Sequence, residues 1–233
     1  MLEVSYYILL VVILIALGFA FKRALVKAEV TRERIGRFIG GYVVLMFLFV
    51  VFVSTMAVKG VYQSTSLPPR LALLAVLPAF AIIAYFFTAK RFKTIIVAFP
   101  ISFTIYFQSF RIIVELLIFA AVLKGMGPEL ISFNGRNFDI LAGLTAPLVG
   151  WAYGRGIVGK NLLLLWNIFC LGLLANIVAV FMSLLINPHF WGYETTPISM
   201  DYLTIPYAYL AAVYMPVAVF LHVMCIKKIM AKS

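Results

Sequence analysis

The chain has 233 residues, 65% of them hydrophobic, with a mean hydropathy of +1.10 and only 12% charged residues. Soluble domains run at about 45–50% apolar and about 25% charged, so this excess excludes a water-soluble globular fold. The net charge of +11 does not indicate nucleic acid, because the basic residues are sorted by loop, which is a membrane-insertion signal.

A membrane-spanning helix needs about 20 mostly apolar residues. Seven segments qualify: 4–21, 38–58, 71–88, 95–123, 139–153, 161–185 and 206–226. They predict an all-α polytopic membrane protein, a seven-transmembrane-helix bundle forming one integral membrane domain over residues 1–233. The first run has no basic stretch before it, is followed by Lys22 and Arg23, and shows no small-x-small cleavage site. It is read as a retained helix and not a signal peptide.

The loops divide by charge. Lys22, Arg23, Lys27, Arg32, Arg34 and Arg37 separate the first two spans, and Lys90, Arg91 and Lys93 the third and fourth. Arg155 and Lys160 follow the fifth span, and Lys227, Lys228 and Lys232 the seventh. The opposite loops hold Lys59, Arg70, Lys124 and Arg136, together with Glu3, Glu129, Asp139, Glu194 and Asp201. Basic loops stay cytoplasmic, so the bias predicts an outside N-terminus and a cytoplasmic C-terminus. The expected setting is a cell (inner) membrane, multi-pass, with the lipid bilayer as first partner. Absence of any Asn-x-Ser/Thr acceptor fits a prokaryotic source. Tyr6, Tyr7, Tyr62, Trp191, Tyr193, Tyr202 and Tyr207 are expected at the outer interface, and Phe38, Tyr42, Tyr85, Trp151 and Tyr153 at the inner one.

The fourth run, 95–123, would be about 43 Å long as a straight helix against a hydrocarbon core of about 30 Å, so it must tilt, kink at Pro100 or project. Gln108, Arg111 and Glu115 share one of its faces. An ionisable residue at membrane depth is a functional candidate by default, and Arg111 and Glu115, four residues apart, are expected to pair. The alternative is an ion pair that only packs on neighbouring helices.

The fifth span is short and broken by Gly143, Pro147 and Gly150, a pattern that points to a membrane binding site. Asn137 or Asp139 is expected to cap it, with its positive dipole end facing outward. Arg111, Arg136 and that helix end could form a pocket for a carboxylate or phosphate. Against this stands Asp139 itself, which could pair with Arg136 or Arg111 and fill the place. Ala142/Ala146 and Gly150/Gly154 are read as close-packing pairs. The loop before this span, with Asn134, and the loop from Ile186 to Ile205, with His189, are longer than tethering requires and lean function outward.

Three polar residues of the last two spans, Asn167, Asn176 and His222, are read as structural, with Asn167 and His222 at depths that allow a hydrogen bond. Cys170 and Cys225 are read as buried thiols. The two histidines lie at opposite faces, so no metal site is expected, and no nucleotide loop, Gly-x-Ser-x-Gly or Cys-x-x-Cys occurs, so no cofactor is assigned. No lysine precedes Lys227 in the seventh span, which argues against a retinal Schiff base.

Phe110-Arg111-x-x-x-Glu115, then Gly135-Arg136-Asn137-Phe138-Asp139 followed by Gly143-Leu144-Thr145-Ala146, and Leu165-Trp166-Asn167 together resemble small multi-pass bacterial membrane proteins of unknown function. The resemblance covers the second half of the chain and implies a bacterial source and no activity.

The leading expectation is a transporter or receptor-like module that binds a small anionic or amphipathic (lipid-like) ligand in the outer half of the bundle. Gln108, Arg111, Glu115, Asn134, Arg136, Asn137, Asp139 and His189 are its expected ligand-binding residues. One alternative is a structural subunit that contacts other membrane proteins or itself. The other is a membrane-embedded enzyme acting on a lipid or lipid-linked substrate, with Glu115, Asp139 or His189 supplying acid–base chemistry.

Overall fold

The computed structural model describes residues 1–64, 67–187, 189–192 and 194–231. Tyr193 and Lys232, expected at the outer interface and in a basic loop, lie outside the described residues. Among the described residues all regular structure is helical. The main helices are α1 (Leu2–Lys27), α2 (Arg32–Val58), α3 (Ala72–Thr88), α4 (Lys90–Ala98), α5 (Ile101–Leu123), α6 (Ile140–Gly154), α7 (Lys160–Ile186) and α8 (Leu210–Met230). Five of them, α1, α2, α5, α7 and α8, are long and apolar enough to cross a membrane. The bent pair α3–α4 makes a sixth candidate, and α6 is shorter. The chain is thus an integral membrane protein with several membrane-spanning helices.

The run 95–123 is not one helix. Phe99 and Pro100 take extended conformations (ψ 135° and 115°) between Ala98 and Ile101. Proline lacks an N–H and drives its predecessor out of the helical region, so the break falls where the chemistry requires it. The freed N-terminal part joins the preceding span instead, and α3 and α4 meet at a 70° bend.

Prolines also shape the starts of α3 and α8. Each begins with one π-helical turn, Ala72–Val76 and Leu210–Tyr214, and after one further residue each turn is followed by a proline, Pro78 or Pro216. A proline ring collides with the carbonyl four residues back, and widening the turn relieves the collision. The two widened turns pack against each other.

α8 is the hub: it packs on α3, α4, α5 and α7. Helix α1 packs on α2, α4 and α5, and α6 lies against α5 and α7. Helix α2 stays peripheral, with Val53 and Ala57 its only buried residues. α5 and α6 approach closely because α6 offers small residues. A Cβ at Gly143 would lie 2.8 Å from Ile112 Cγ1 and 2.9 Å from the Ile112 nitrogen, and one at Gly150 would meet the Tyr106 ring at 2.8 Å. Ala142 and Ala146 are buried, whereas Gly154 faces open space, so only the first of the two expected small pairs packs throughout.

The two sets of loops gather at opposite ends. Lys228 donates to the Val97 carbonyl at 2.5 Å and Lys227 to the Phe87 carbonyl at 3.5 Å, which ties the end of α8 to α3 and α4. At the other end the Ser199 amide donates to the Met126 carbonyl and the Tyr214 hydroxyl to the Tyr6 carbonyl.

Candidate functional site

Arg111 lies ten residues into α5, about 15 Å from its start, and Leu123 ends that helix about 18 Å beyond. α6 begins beside Arg111, not at the end of the bundle, because Asp139 immediately precedes it and binds the guanidinium. The segment 124–139 therefore runs back down from the end of α5 to its middle. Irregular backbone is tolerated at such depth only where its polar groups are satisfied internally. Here they are: the amides of Met126, Ser132, Arg136 and Asn137 donate to the carbonyls of Ala121, Glu129, Leu130 and Ser132. Gly135 permits the fold, since a Cβ there would collide with the Glu129 carbonyl and Leu130 Cα.

The expected Arg111–Glu115 pair is not made. Arg111 Nε donates to Asp139 Oδ2 at 2.6 Å and Nη2 donates to Asp139 Oδ1, forming a two-point ion pair with a residue 28 positions away. Its remaining donors reach His222 Nε2 at 3.0 Å and the Cys170 carbonyl at 3.4 Å. Local spacing loses to tertiary geometry because a carboxylate presented in plane with the guanidinium satisfies two donors at once. Of the two open alternatives for Asp139, its partner is Arg111.

The guanidinium can only donate, so His222 Nε2 is the acceptor and Nδ1 carries the proton. Nδ1 then donates to Asn167 Oδ1 at 2.8 Å, the hydrogen bond that their depths allow. Asn167 Nδ2 donates to the Leu163 carbonyl at 2.8 Å and to Cys225 Sγ at 3.4 Å. One continuous polar chain thus links α6, α5, α8 and α7, with Arg111, Asp139, His222 and Asn167 all at 3% exposure or less.

Glu115, 1% exposed, is held separately: its Oε2 accepts from Asn137 Nδ2, which also donates to the Ile131 carbonyl at 3.0 Å. Asn137 Oδ1 accepts from the Asp139 amide at 3.0 Å. Neither Asn137 nor Asp139 caps α6 through its side chain; their polar atoms serve Glu115 and Arg111 instead. Gln108 donates to the Ala218 carbonyl at 3.2 Å, while its Oε1 is buried without a partner among the described residues.

Other expected site residues stand elsewhere. Asn134 and Arg136 are exposed, with the Arg136 guanidinium 4.4 Å from the Trp191 ring centroid and its carbonyl accepting from Asn176 at 2.6 Å. His189 is exposed on the 186–205 loop. Pro188, in the same loop, lies outside the described residues.

Between α3, α5, α7 and α8 lies a cavity of about 220 Å³. Arg111, Glu115 and Asp139 form its polar wall, and its remaining lining is mainly apolar, with Leu174, Ile177 and Phe181 among it. Both π-helical turns border it. Tyr202, Tyr207 and Tyr214 line it as well. Asn134, Arg136 and His189 do not line it.

Of the tyrosines expected at one interface, Tyr6, Tyr62, Tyr202 and Tyr207 are buried inside the protein. Tyr6 packs edge-on to Tyr207 (5.0 Å between centroids) and stacks near Tyr214 (6.5 Å), and Tyr202 meets Tyr207 at 6.0 Å. The hydroxyls of Tyr6, Tyr62 and Tyr202 have no hydrogen-bond partner among the described residues. Burial, followed by the neighbouring Tyr207 and Glu115, pushes the Tyr202 phenol above its ordinary value, so it remains a donor. No sequence signal separates these tyrosines from a membrane-interface belt, because both uses want an aromatic ring with one polar end. Among the described residues no three His, Cys, Asp or Glu side chains gather as a metal site. Compared with protein-family models, curated proteins and solved structures, the chain matches none.

Proposed function

We propose that this is a multi-pass protein of a bacterial inner membrane that binds one small amphipathic molecule in the cavity beside Glu115. The observation that carries the reading is the cavity itself: about 220 Å³, apolar along its length, with a buried carboxylate and an unpartnered buried phenol at its polar places. Buried polar groups are nearly always hydrogen-bonded, so the unpartnered Tyr202 hydroxyl calls for a complementary group, and Glu115, already bonded to Asn137, offers a second polar place on the same lining. The volume lies below the roughly 300–1,000 Å³ of drug-sized sites, which keeps the ligand small.

Charge balance selects the amphipathic ligand over the anionic one. Arg111 is already neutralised by Asp139, and four of its five N–H groups are engaged by Asp139, His222 and the Cys170 carbonyl. An anion would have to displace Asp139 and would meet Glu115 as well. A neutral or weakly basic polar head, able to donate to Glu115 and accept from Tyr202, meets no such cost. In this reading Arg111 and Asp139 position α6 and Asn137, and Glu115 touches the ligand.

The topology belongs to the same reading: seven crossings, N-terminus outside, C-terminus cytoplasmic. α6 has 15 residues, about 22 Å, and the descending segment 124–139 supplies the rest of the fifth crossing. Separation of the basic and acidic loops to opposite ends of the bundle supports the orientation.

The test is extraction of the protein purified gently from its native membranes, with mass spectrometry of the released small molecules. A compound present near one per chain, lost in Glu115→Gln and in the cavity-filling Ala211→Trp, is expected. Identical small-molecule profiles for all three proteins would overturn the proposal. A second reading, a structural subunit of a membrane complex, is favoured by the neutralisation of Arg111 within the bundle by Asp139; it requires a stable protein partner from the same membranes and no bound compound.

A further inference from the structure

At the basic end of the bundle, α2 leans away from α3, α4 and α8 and leaves a cleft of about 800 Å³, separate from the cavity at Glu115. Its walls are aromatic and aliphatic on both sides: Phe38 and Phe49 on α2 face Phe86, Phe92, Phe99 and Phe220. Its charged lining is of one sign. Arg34, Arg37 and Arg91 all line it, and no carboxylate does. The three differ in how they are engaged. Arg37 is paired with Glu33 at 2.5 Å, and Arg91 lies over the Tyr85 and Phe92 rings at 5.2 and 4.8 Å. Arg34 has no side-chain partner among the described residues.

We infer that this cleft is a binding site for a single anionic phospholipid of the leaflet at that end, with an acyl chain between α2 and the phenylalanines and the phosphate against Arg34 and Arg91. An aromatic cleft bordering hydrocarbon suits an acyl chain, and guanidinium groups match phosphate oxygens in a two-point geometry. Basic clefts between membrane helices on the cytoplasmic side bind anionic head groups in this manner. Charge decides the lipid class. A zwitterionic head group carries its own cation into a mouth that holds only cations, whereas an anionic head group does not. A second copy of the chain would have to bring carboxylates to the same mouth, and the exposed face of α2 carries none beyond Glu33, which Arg37 occupies.

The experiment is native mass spectrometry of the whole protein in mild detergent, titrated with dioleoyl phosphatidylglycerol or dioleoyl phosphatidylcholine. Retention of one phosphatidylglycerol with a preference of at least about tenfold over phosphatidylcholine is expected from two guanidinium contacts. Arg34→Gln with Arg91→Gln should abolish that preference, while Lys59→Gln at the opposite end leaves it intact. Gly41→Phe gives an independent check, since Gly41 lines the cleft and a Cβ there meets nothing within 4 Å. It should reduce retention of both lipids. Equal retention of the two lipids by the unaltered protein overturns the inference. So does a preference untouched by the double substitution, or a dimer that forms without lipid and is abolished by Gly41→Phe.

Discussion

Replacing Asp139 by asparagine keeps the shape of the side chain and removes its charge. Arg111 is 1% exposed and Asp139 is 3% exposed, so water cannot replace what is lost. The guanidinium would be left with the oxygen of the new amide side chain, His222 Nε2 and the Cys170 carbonyl, all neutral acceptors. Removing one partner of a buried ion pair costs about 3–5 kcal/mol. The bonds alone account for about 1.5–3 kcal/mol of this, since Asp139 accepts two and the asparagine oxygen keeps one; the lost charge supplies the rest. Such a loss corresponds to a fall in melting temperature of roughly 6–20 °C for a chain of this length. Reversible unfolding in mixed detergent–lipid micelles reads the free energy directly. Arg111→Met combined with Asp139→Leu should recover most of the loss, because a buried pair replaced by apolar side chains is often close to neutral. About 1–3 kcal/mol should remain, from the His222 Nε2 acceptor left without its donor. A cost below about 1 kcal/mol for Asp139→Asn, or a double variant as unstable as the two single losses added, would refute the buried pair.

Four further outcomes are expected. Gly143→Val should destabilise by about 1–3 kcal/mol, since its side chain would enter the Ile112 backbone, while Gly154→Ala should be neutral in the same unfolding assay. Nitrogen chemical shifts of His222 should show the neutral Nδ1–H tautomer, because Nε2 faces a guanidinium that cannot accept; an Nε2–H tautomer would contradict the Arg111–His222 bond. Glu115→Gln should change stability by under about 1.5 kcal/mol, as the oxygen of the new side chain can still accept from Asn137 Nδ2, yet it should abolish the bound compound. Single cysteines placed in a background lacking Cys170 and Cys225 should be labelled by an impermeant maleimide on intact cells at Lys59→Cys, and at Arg155→Cys only after permeabilisation.

Much of the helical skeleton is readable because apolar runs bounded by charge have one physical solution in lipid. The first two spans differ from their expected limits mainly by extending into basic residues, since a helix does not end where hydropathy does. The run 95–123 was readable as kinked but not as divided, because hydropathy is blind to Pro100 and composition does not reveal that Lys90–Ala98 bends back onto α3. At the site, Asn167 and His222 were legible from depth alone, both being near one level of facing helices. Arg111 was legible as important, but its partner was not. Spacing of four residues favours Glu115, and nothing in the sequence states that 124–139 folds back and delivers Asp139 to mid-helix. The tyrosine cluster was hidden for the same reason: which side of a helix end turns inward is decided by packing.

A high-resolution map of the protein in native-like lipid tests the ligand site most directly, read between Glu115, Tyr202 and Leu174. Density for one small molecule, with a polar end within hydrogen-bond distance of Glu115 and Tyr202 and an apolar body running towards Phe181, is the expected result. A cavity closed by its own side chains, or filled by water alone, would contradict the proposed function and leave the Arg111–Asp139 pair as the reason for polar residues at this depth.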